Sequence, residues 1–170
     1  MRETDDEIAA LQRLLDVSIA GGNEHLRDIM TPERLLSAAQ LVRVLTGMQV
    51  LVVATVTADG RPLTSCADGH FIHGRWVFTT SATATKARHL AARPAVSATH
   101  ARGDTFGVFT HGRAERLTPA HPEFAEVDDH LTAFYGVSPS TFAPDIAYLR
   151  IQPTWMLAYA ADPASLLSSA

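Results

Sequence analysis

Apolar positions along this chain change period more than once. Ile8, Leu11, Leu14, Leu15 and Ile19 recur at helical spacing over residues 5–20, and Gly21-Gly22 stops the run. Acidic side chains crowd its start, where they suit the helix dipole. A second helix is predicted over residues 31–47, with Thr31 as N-cap, Pro32 in the first turn and Gly47 at the end. Leu35, Leu36, Ala39, Val42, Val44 and Leu45 give it a broad apolar face. The joining stretch, residues 21–30, is expected to be mobile.

From Val50 the pattern shifts to β-branched residues. Val50, Val52, Val53, Thr55, Val56 and Thr57 form a nearly continuous apolar strand, as expected when both faces are covered. Ala58-Asp59-Gly60 supplies a hairpin turn, residues 62–67 return as a second strand, and His73-Gly74 leads into a third over residues 75–80. Between Thr80 and Pro94 the alternation is lost, and Ala84, Lys86, Ala87, Arg88, Leu90 and Ala91 predict a short helix with Thr83 as N-cap. Pro94 ends it, because the residue before a proline is pushed out of the α region.

Residues 95–101 then read as a strand, and residues 105–117 as a long bent one, with Gly107 and Gly112 suited to a bulge or a close backbone approach. A helix over residues 120–135, a Ser/Pro loop over 137–144 and two strands, 146–151 and 154–159 around Gln152-Pro153, complete the chain. The tail is expected to be loosely held. These elements predict a mainly β fold with flanking helices, six to seven antiparallel strands closed or partly closed into a barrel, since closure removes exposed edges. Residues 1–30 read as an N-terminal helical extension and residues 31–170 as the barrel domain.

Composition narrows the function. A chain of 170 residues is the size of one domain, and its 46% hydrophobic and 19% charged residues exclude wholesale disorder. No apolar run approaches the roughly 20 residues of a membrane span. The acidic start is unlike a secretory signal, so no membrane association and a cytoplasmic location are expected. A net charge of −4 argues against general nucleic-acid binding. Cys66, the lone cysteine, has no disulfide partner in the chain and, from the alternation around it, is expected to pack inside. The eight histidines show neither helical i, i+4 pairing nor a Cys/His cluster, and no metal is expected.

The densest chemistry lies in the strand-to-helix passage from Phe78 to Lys86. It combines several hydroxyls, a helix amino terminus with unpaired N–H groups, and a lysine in the first turn. Such a terminus attracts phosphate through its donors and dipole, and Lys86 adds a full charge. A helix capped by Thr and Ser with a solvated lysine is the plain structural alternative. His70, His73, His100 and His111 are candidates for a proton donor near neutral pH. No nucleophile or carboxylate pair stands out, and the catalytic residues stay unassigned.

Three features recur together: Ala54 to Pro62 as a strand ending in a Gly-x-Pro turn, Phe78-Thr79-Thr80, and Lys86 followed by Leu90 and Arg93-Pro94. With Gly112-Arg113-Ala114, Tyr135-Gly136 and Arg150 to Pro153, the sequence from about Leu35 to Tyr159 resembles the pyridoxamine 5′-phosphate oxidase-like split barrels, a superfamily of flavin and deazaflavin (F420) proteins. The resemblance implies a homodimer with FMN, or alternatively F420, at the subunit interface, and hydride or electron transfer to a small organic substrate. It implies that Leu63, Thr64, Ser65 and Cys66 line the ring edge, that Thr79, Thr80 and Ser81 meet the ribityl chain and phosphate, and that Lys86 meets the phosphate, with Arg88 assisting. Trp155 would pack near the ring from the partner subunit, or else serve as barrel core. Leu63, Asp68 and Thr85 stand where the namesake oxidases carry cations, so the resemblance is to the flavin/F420 branch. A non-catalytic carrier of flavin, F420 or haem is the competing expectation.

Overall fold

The computed structural model describes residues 3–168, and its first helix begins where the sequence places it. Helix α1 (Asp5–Ala20) starts on a reciprocal capping box in which Thr4 and Glu7 satisfy each other's backbone donors. Leu11, Leu15 and Ser18 are its buried residues. The stretch expected to be mobile instead forms α2 (Glu24–Ile29), capped by Asn23.

The helix predicted over residues 31–47 is shorter than expected. Only α3 (Ala38–Val44) forms, capped by Ser37 in a box with Gln40, while Thr31 and Pro32 lie outside it. A competing demand on the backbone explains the difference. Leu36 N–H donates to the Ala158 carbonyl (3.1 Å) and the Arg34 carbonyl accepts the Ala160 N–H (2.8 Å), so residues 34–36 serve as a fragment of strand. Those bonds hold the segment out of helical geometry, and the Ser37/Gln40 box starts the helix once they are made.

Six strands follow among the described residues: β1 (Met48–Val56), β2 (Pro62–Ile72), β3 (Arg75–Ser81), β4 (Ala95–Arg102), β5 (Phe106–Leu117) and β6 (Ile146–Ala160). They close in the order β1-β2-β3-β6-β5-β4, every neighbour antiparallel. The two-residue turn His73-Gly74 joins β2 and β3 with both residues at positive φ (53° and 71°), the geometry that matches strand twist. β2 runs five residues beyond its expected end at residue 67 because that hairpin carries it on to Ile72.

The two strands expected at the end of the chain are one, β6, bent rather than interrupted at Pro153. A bulge in the β5–β6 ladder between His111 and Gly112 accommodates the bend: His111 faces Trp155 while Gly112 faces Pro153, leaving Thr154 without a rung. A Cβ at Gly112 would run into the Gln152 carbonyl oxygen, so only glycine fits. Helix α4 (Thr85–Ala92) lies between β3 and β4, and α5 (Phe124–Tyr135) between β5 and β6. The latter starts four residues later than expected, since Pro122 disfavours helical geometry at His121. The tail expected to be loose forms α6 (Pro163–Ser168), Ser169 and Ala170 lying outside the described residues.

Alternation sorts the strand residues into two cores. Leu51, Val53, Trp76, Phe78, Val108 and Ile151 fill the barrel, joined by Leu11 and Leu15 of α1, so the amino-terminal helix shares this core. Trp76 donates its indole N–H to Thr110 Oγ1 (3.2 Å) within it. Val77, Leu117 and Tyr148 on the outer face pack beneath Val127 and Leu131 of α5. Among the described residues no helix is long and apolar enough to cross a membrane.

Candidate functional site

The ladder between β2 and β3 is short. It runs only from Gly69 to Ile72 on β2, against Arg75 to Phe78 on β3. Beyond Gly69, β2 follows β1 back to Pro62, whereas β3 turns to β6, pairing Thr79, Thr80 and Ser81 with Tyr148, Ala147 and Ile146. The two strands diverge into an open wedge, and residues 62–68 of β2 keep one backbone edge without a strand partner among the described residues. Unpaired strand N–H and C=O groups are ready donors and acceptors, respectively, for a planar heterocycle.

The wedge gathers most of the side chains expected at the site. Leu63, Thr64 and Cys66 are exposed along its β2 lip, with Ser65 half-buried between them. Thr79, Thr80 and Ser81, all half-buried, form the β3 lip. Lys86, in the first turn of α4, spans the gap, its Nζ donating to the Cys66 carbonyl. Burial pulls Lys86 below the ordinary lysine range, opposed by the neighbouring Cys66 and Asp68. Cys66 was expected inside and is exposed: it lies opposite Val52 on the outward face of the β1–β2 ladder, where Val52 is exposed too.

The turn from β3 into α4 departs from the expected capping. The N-cap of α4 is Ala84, which offers no side-chain bond, and Thr83 bonds elsewhere. Asp145, just before β6, draws it away. Its Oδ2 accepts from the Ser81 hydroxyl (2.6 Å), the Thr83 hydroxyl (3.1 Å) and the Thr83 N–H (3.3 Å), and its main-chain carbonyl accepts the Ala82 N–H (2.7 Å). The Ser81 hydroxyl, first among these donors, holds the Asp145 carboxyl below the usual carboxylate range. Sequence reasoning missed Asp145, which is 64 residues from Ser81 and is brought beside it only by the β3–β6 ladder.

Two expected residues are not in the wedge. Arg88 is two positions beyond Lys86, about 200° around the helix at roughly 100° per residue, and so faces away from it. It lines a cavity of about 320 Å³ between α4 and strands β5 and β6, with Ala87, Leu90, Arg116 and Leu149. Trp155 is seven positions beyond Tyr148, the partner of Thr79, which is roughly 20 Å at about 3.3 Å per residue. Its indole donates to the Ser18 carbonyl of α1 (3.1 Å), and its ring stacks on His111 at 4.8 Å.

The four candidate histidines have their partners elsewhere. His70 is buried beneath α5, with its ring nitrogens 3.2 Å from His130 Nε2 and 3.1 Å from the Tyr135 hydroxyl. Burial, reinforced by His130, pushes its pKa down to about 4, so it is neutral at physiological pH. His73 sits between Glu7 of α1 and Glu126 of α5, 3.0 Å from each. His111 bonds Ser97 (2.8 Å), and His100 lies 2.9 Å from the Val50 carbonyl. Arg150, buried on β6, pairs with Glu115 and Glu123, and Gln152 joins the same Glu115 carboxylate at 2.7 Å, a structural anchor for the start of α5.

A family profile described as pyridoxamine 5′-phosphate oxidase matches residues 37–159. Solved structures share the fold. A conserved hypothetical protein from Mycobacterium tuberculosis superposes with a TM-score of 0.65 at 20% identity, over 79% of this chain and 91% of that one. A protein described as an F420 reductase gives 0.53 at 22% identity, covering 66% and 92%. A protein described as FAD-binding, from Mesorhizobium loti, gives 0.57 at 20% identity, covering 74% and 94%. No curated protein sequence matches the chain.

Proposed function

Because the chain belongs to the pyridoxamine 5′-phosphate oxidase family, we propose that it is a flavin- or F420-binding oxidoreductase whose cofactor lies along the open wedge between β2 and β3. The observation that carries this reading is the divergence of the two strands at Gly69 and Phe78, which exposes a backbone edge beside a lysine. The β2 edge from Leu63 to Cys66, with the Thr64 and Ser65 hydroxyls, would orient one side of the ring system. Thr79 and Thr80 on the other lip would meet the polyol chain, and Lys86 would supply the cation at the helix end. A bound flavin or deazaflavin supplies hydride or electron transfer, and the protein positions it and excludes water. FMN is the first candidate cofactor and F420 the second.

The wedge is open in one protomer, and we propose that a second copy closes it. On the outward side of β1, Met48, Val50, Val52 and Val56 are exposed, Val50 by 54%. A contiguous apolar stripe on a sheet face marks a surface that a partner covers. In such a homodimer Trp155 of the partner subunit would be available to a ring that its own protomer cannot reach. The substrate would be a small organic molecule entering beside the ring.

A carrier without turnover is the second reading, favoured by one observation: His70, His73, His100 and His111 all have partners outside the wedge. The two are separated by following the absorbance of reduced FMN or F420 in the presence of quinone and nitroaromatic acceptors. Oxidation faster than in free solution supports the oxidoreductase. Binding at the free-solution rate with every acceptor supports the carrier.

A further inference from the structure

The β3–α4 turn is wrapped around an anion that belongs to the chain itself. The Ser81 and Thr83 hydroxyls and the Thr83 N–H all point at Asp145 Oδ2, at 2.6, 3.1 and 3.3 Å. Hydroxyls and main-chain N–H groups at the head of a helix are the donors that a phosphate takes. Here a carboxylate takes those of the turn, residues 81–83, immediately before the N-cap Ala84. It is held in place from both sides, since Ile146, the next residue, is on the rung opposite Ser81, and the Asp145 carbonyl accepts the Ala82 N–H.

The charge balance of the wedge points the same way. Lys86 is the cation that crosses it, and its ammonium is already bonded to the Cys66 carbonyl. Asp68, one turn of the pleat beyond Cys66 on the same lip, lies close enough to act on Lys86 electrostatically. On the two lips and the turn themselves, one ammonium therefore stands against two carboxylates, Asp68 and Asp145, while Arg88 and Arg116 line a separate cavity that Ala82 borders. A phosphate monoester carries a charge of about −1.5 to −2 at neutral pH. Reaching the turn, it would have to displace Asp145 from its donors or lie beside it, and like charges at that separation repel.

Resting on the cofactor reading above, we propose that Asp145 is a specificity residue that occupies the anion position of the β3–α4 turn. The cofactor is held through its ring system and polyol, and phosphorylated and phosphate-free forms of one cofactor bind alike. The class of ligand selected is thus a flavin or deazaflavin recognised by its chromophore, with the phosphate lying outside the turn.

The test is calorimetric titration of the full chain, at fixed ionic strength, with FMN against riboflavin and with F420 against its phosphate-free chromophore. Wild type is expected to bind the two members of a pair with affinities less than about tenfold apart. Asp145→Asn keeps an oxygen for Ser81 and removes the charge; it should favour the phosphorylated member by about tenfold more than wild type does. A wild-type preference for the phosphorylated form of tenfold or more overturns the inference while leaving the cofactor reading intact, and needs no variant to be folded. An unchanged ratio in a folded Asp145→Asn also overturns it. If wild type binds none of the four compounds, the cofactor reading itself fails, and the inference with it.

Discussion

His70 and Lys86 are both displaced from ordinary titration, and each displacement makes a measurable prediction. His70 has a folded pKa of about 4, caused first by burial and then by His130. The unfolded imidazole titrates near 6.5. Between those values the unfolded chain binds more protons, so stability rises with pH; it is complete above about 6.5 and is lost as pH falls toward 4. His100 is shifted in the same direction by burial and adds to the effect. Urea denaturation at pH 7 and pH 5 should show a loss of roughly 1–3 kcal/mol, and His70→Asn should flatten much of that slope. For Lys86, the expectation is functional: Lys86→Ala frees the Cys66 carbonyl on the β2 lip and should weaken binding of FMN and riboflavin alike several-fold, read by titration, while the circular dichroism spectrum stays that of wild type. Unchanged affinity would remove Lys86 from the site.

At the level of elements, the bent strand β6 and the helix packed on it act together. Met156 N–H donates to the Ser18 hydroxyl (2.9 Å), which itself donates to the Leu14 carbonyl (2.7 Å), so a helix side chain satisfies a strand amide next to the bulge. Ser18→Ala would leave that buried N–H unpaired and should lower unfolding free energy by about 1–3 kcal/mol in a denaturant titration. Gly112→Ala should cost at least about 2 kcal/mol, because its Cβ would meet backbone rather than a flexible side chain. A Gly112→Ala variant as stable as wild type would contradict the bulge geometry.

These elements also show what the amino-acid pattern does and does not reveal. β1, the His73-Gly74 turn and the lysine-bearing helix are legible because period, turn chemistry and propensity agree locally. Gly112 is legible as a place of close approach, although its partner strand is not. The segment 31–37 misleads, because Thr31-Pro32 carries a good local helix signal that long-range bonding to Ala158 and Ala160 overrides. Pro153 misleads in the opposite sense, looking like a break where a bulge lets one strand continue. Thr79, Thr80 and Lys86 are readable as a candidate site from their spacing. Asp145 is not, since nothing local links it to Ser81.

The whole molecule carries both an open wedge between β2 and β3 and an apolar stripe on β1. If a second copy covers that stripe, sedimentation velocity should report a dimer. Val52→Glu, which places a charge on the stripe, should shift it to monomer and weaken cofactor binding in parallel. A wild-type protein that sediments as a monomer and still binds cofactor would separate the two claims. The central claim is that the divergence of β2 and β3 makes a flavin or deazaflavin site. Its most direct test is the change in visible absorbance when FMN or F420 is titrated into the purified full-length chain. A saturable spectral shift is expected with at least one of them, with dissociation constants of about tens of micromolar or tighter. Saturation by neither, in protein that is folded by circular dichroism, would contradict it.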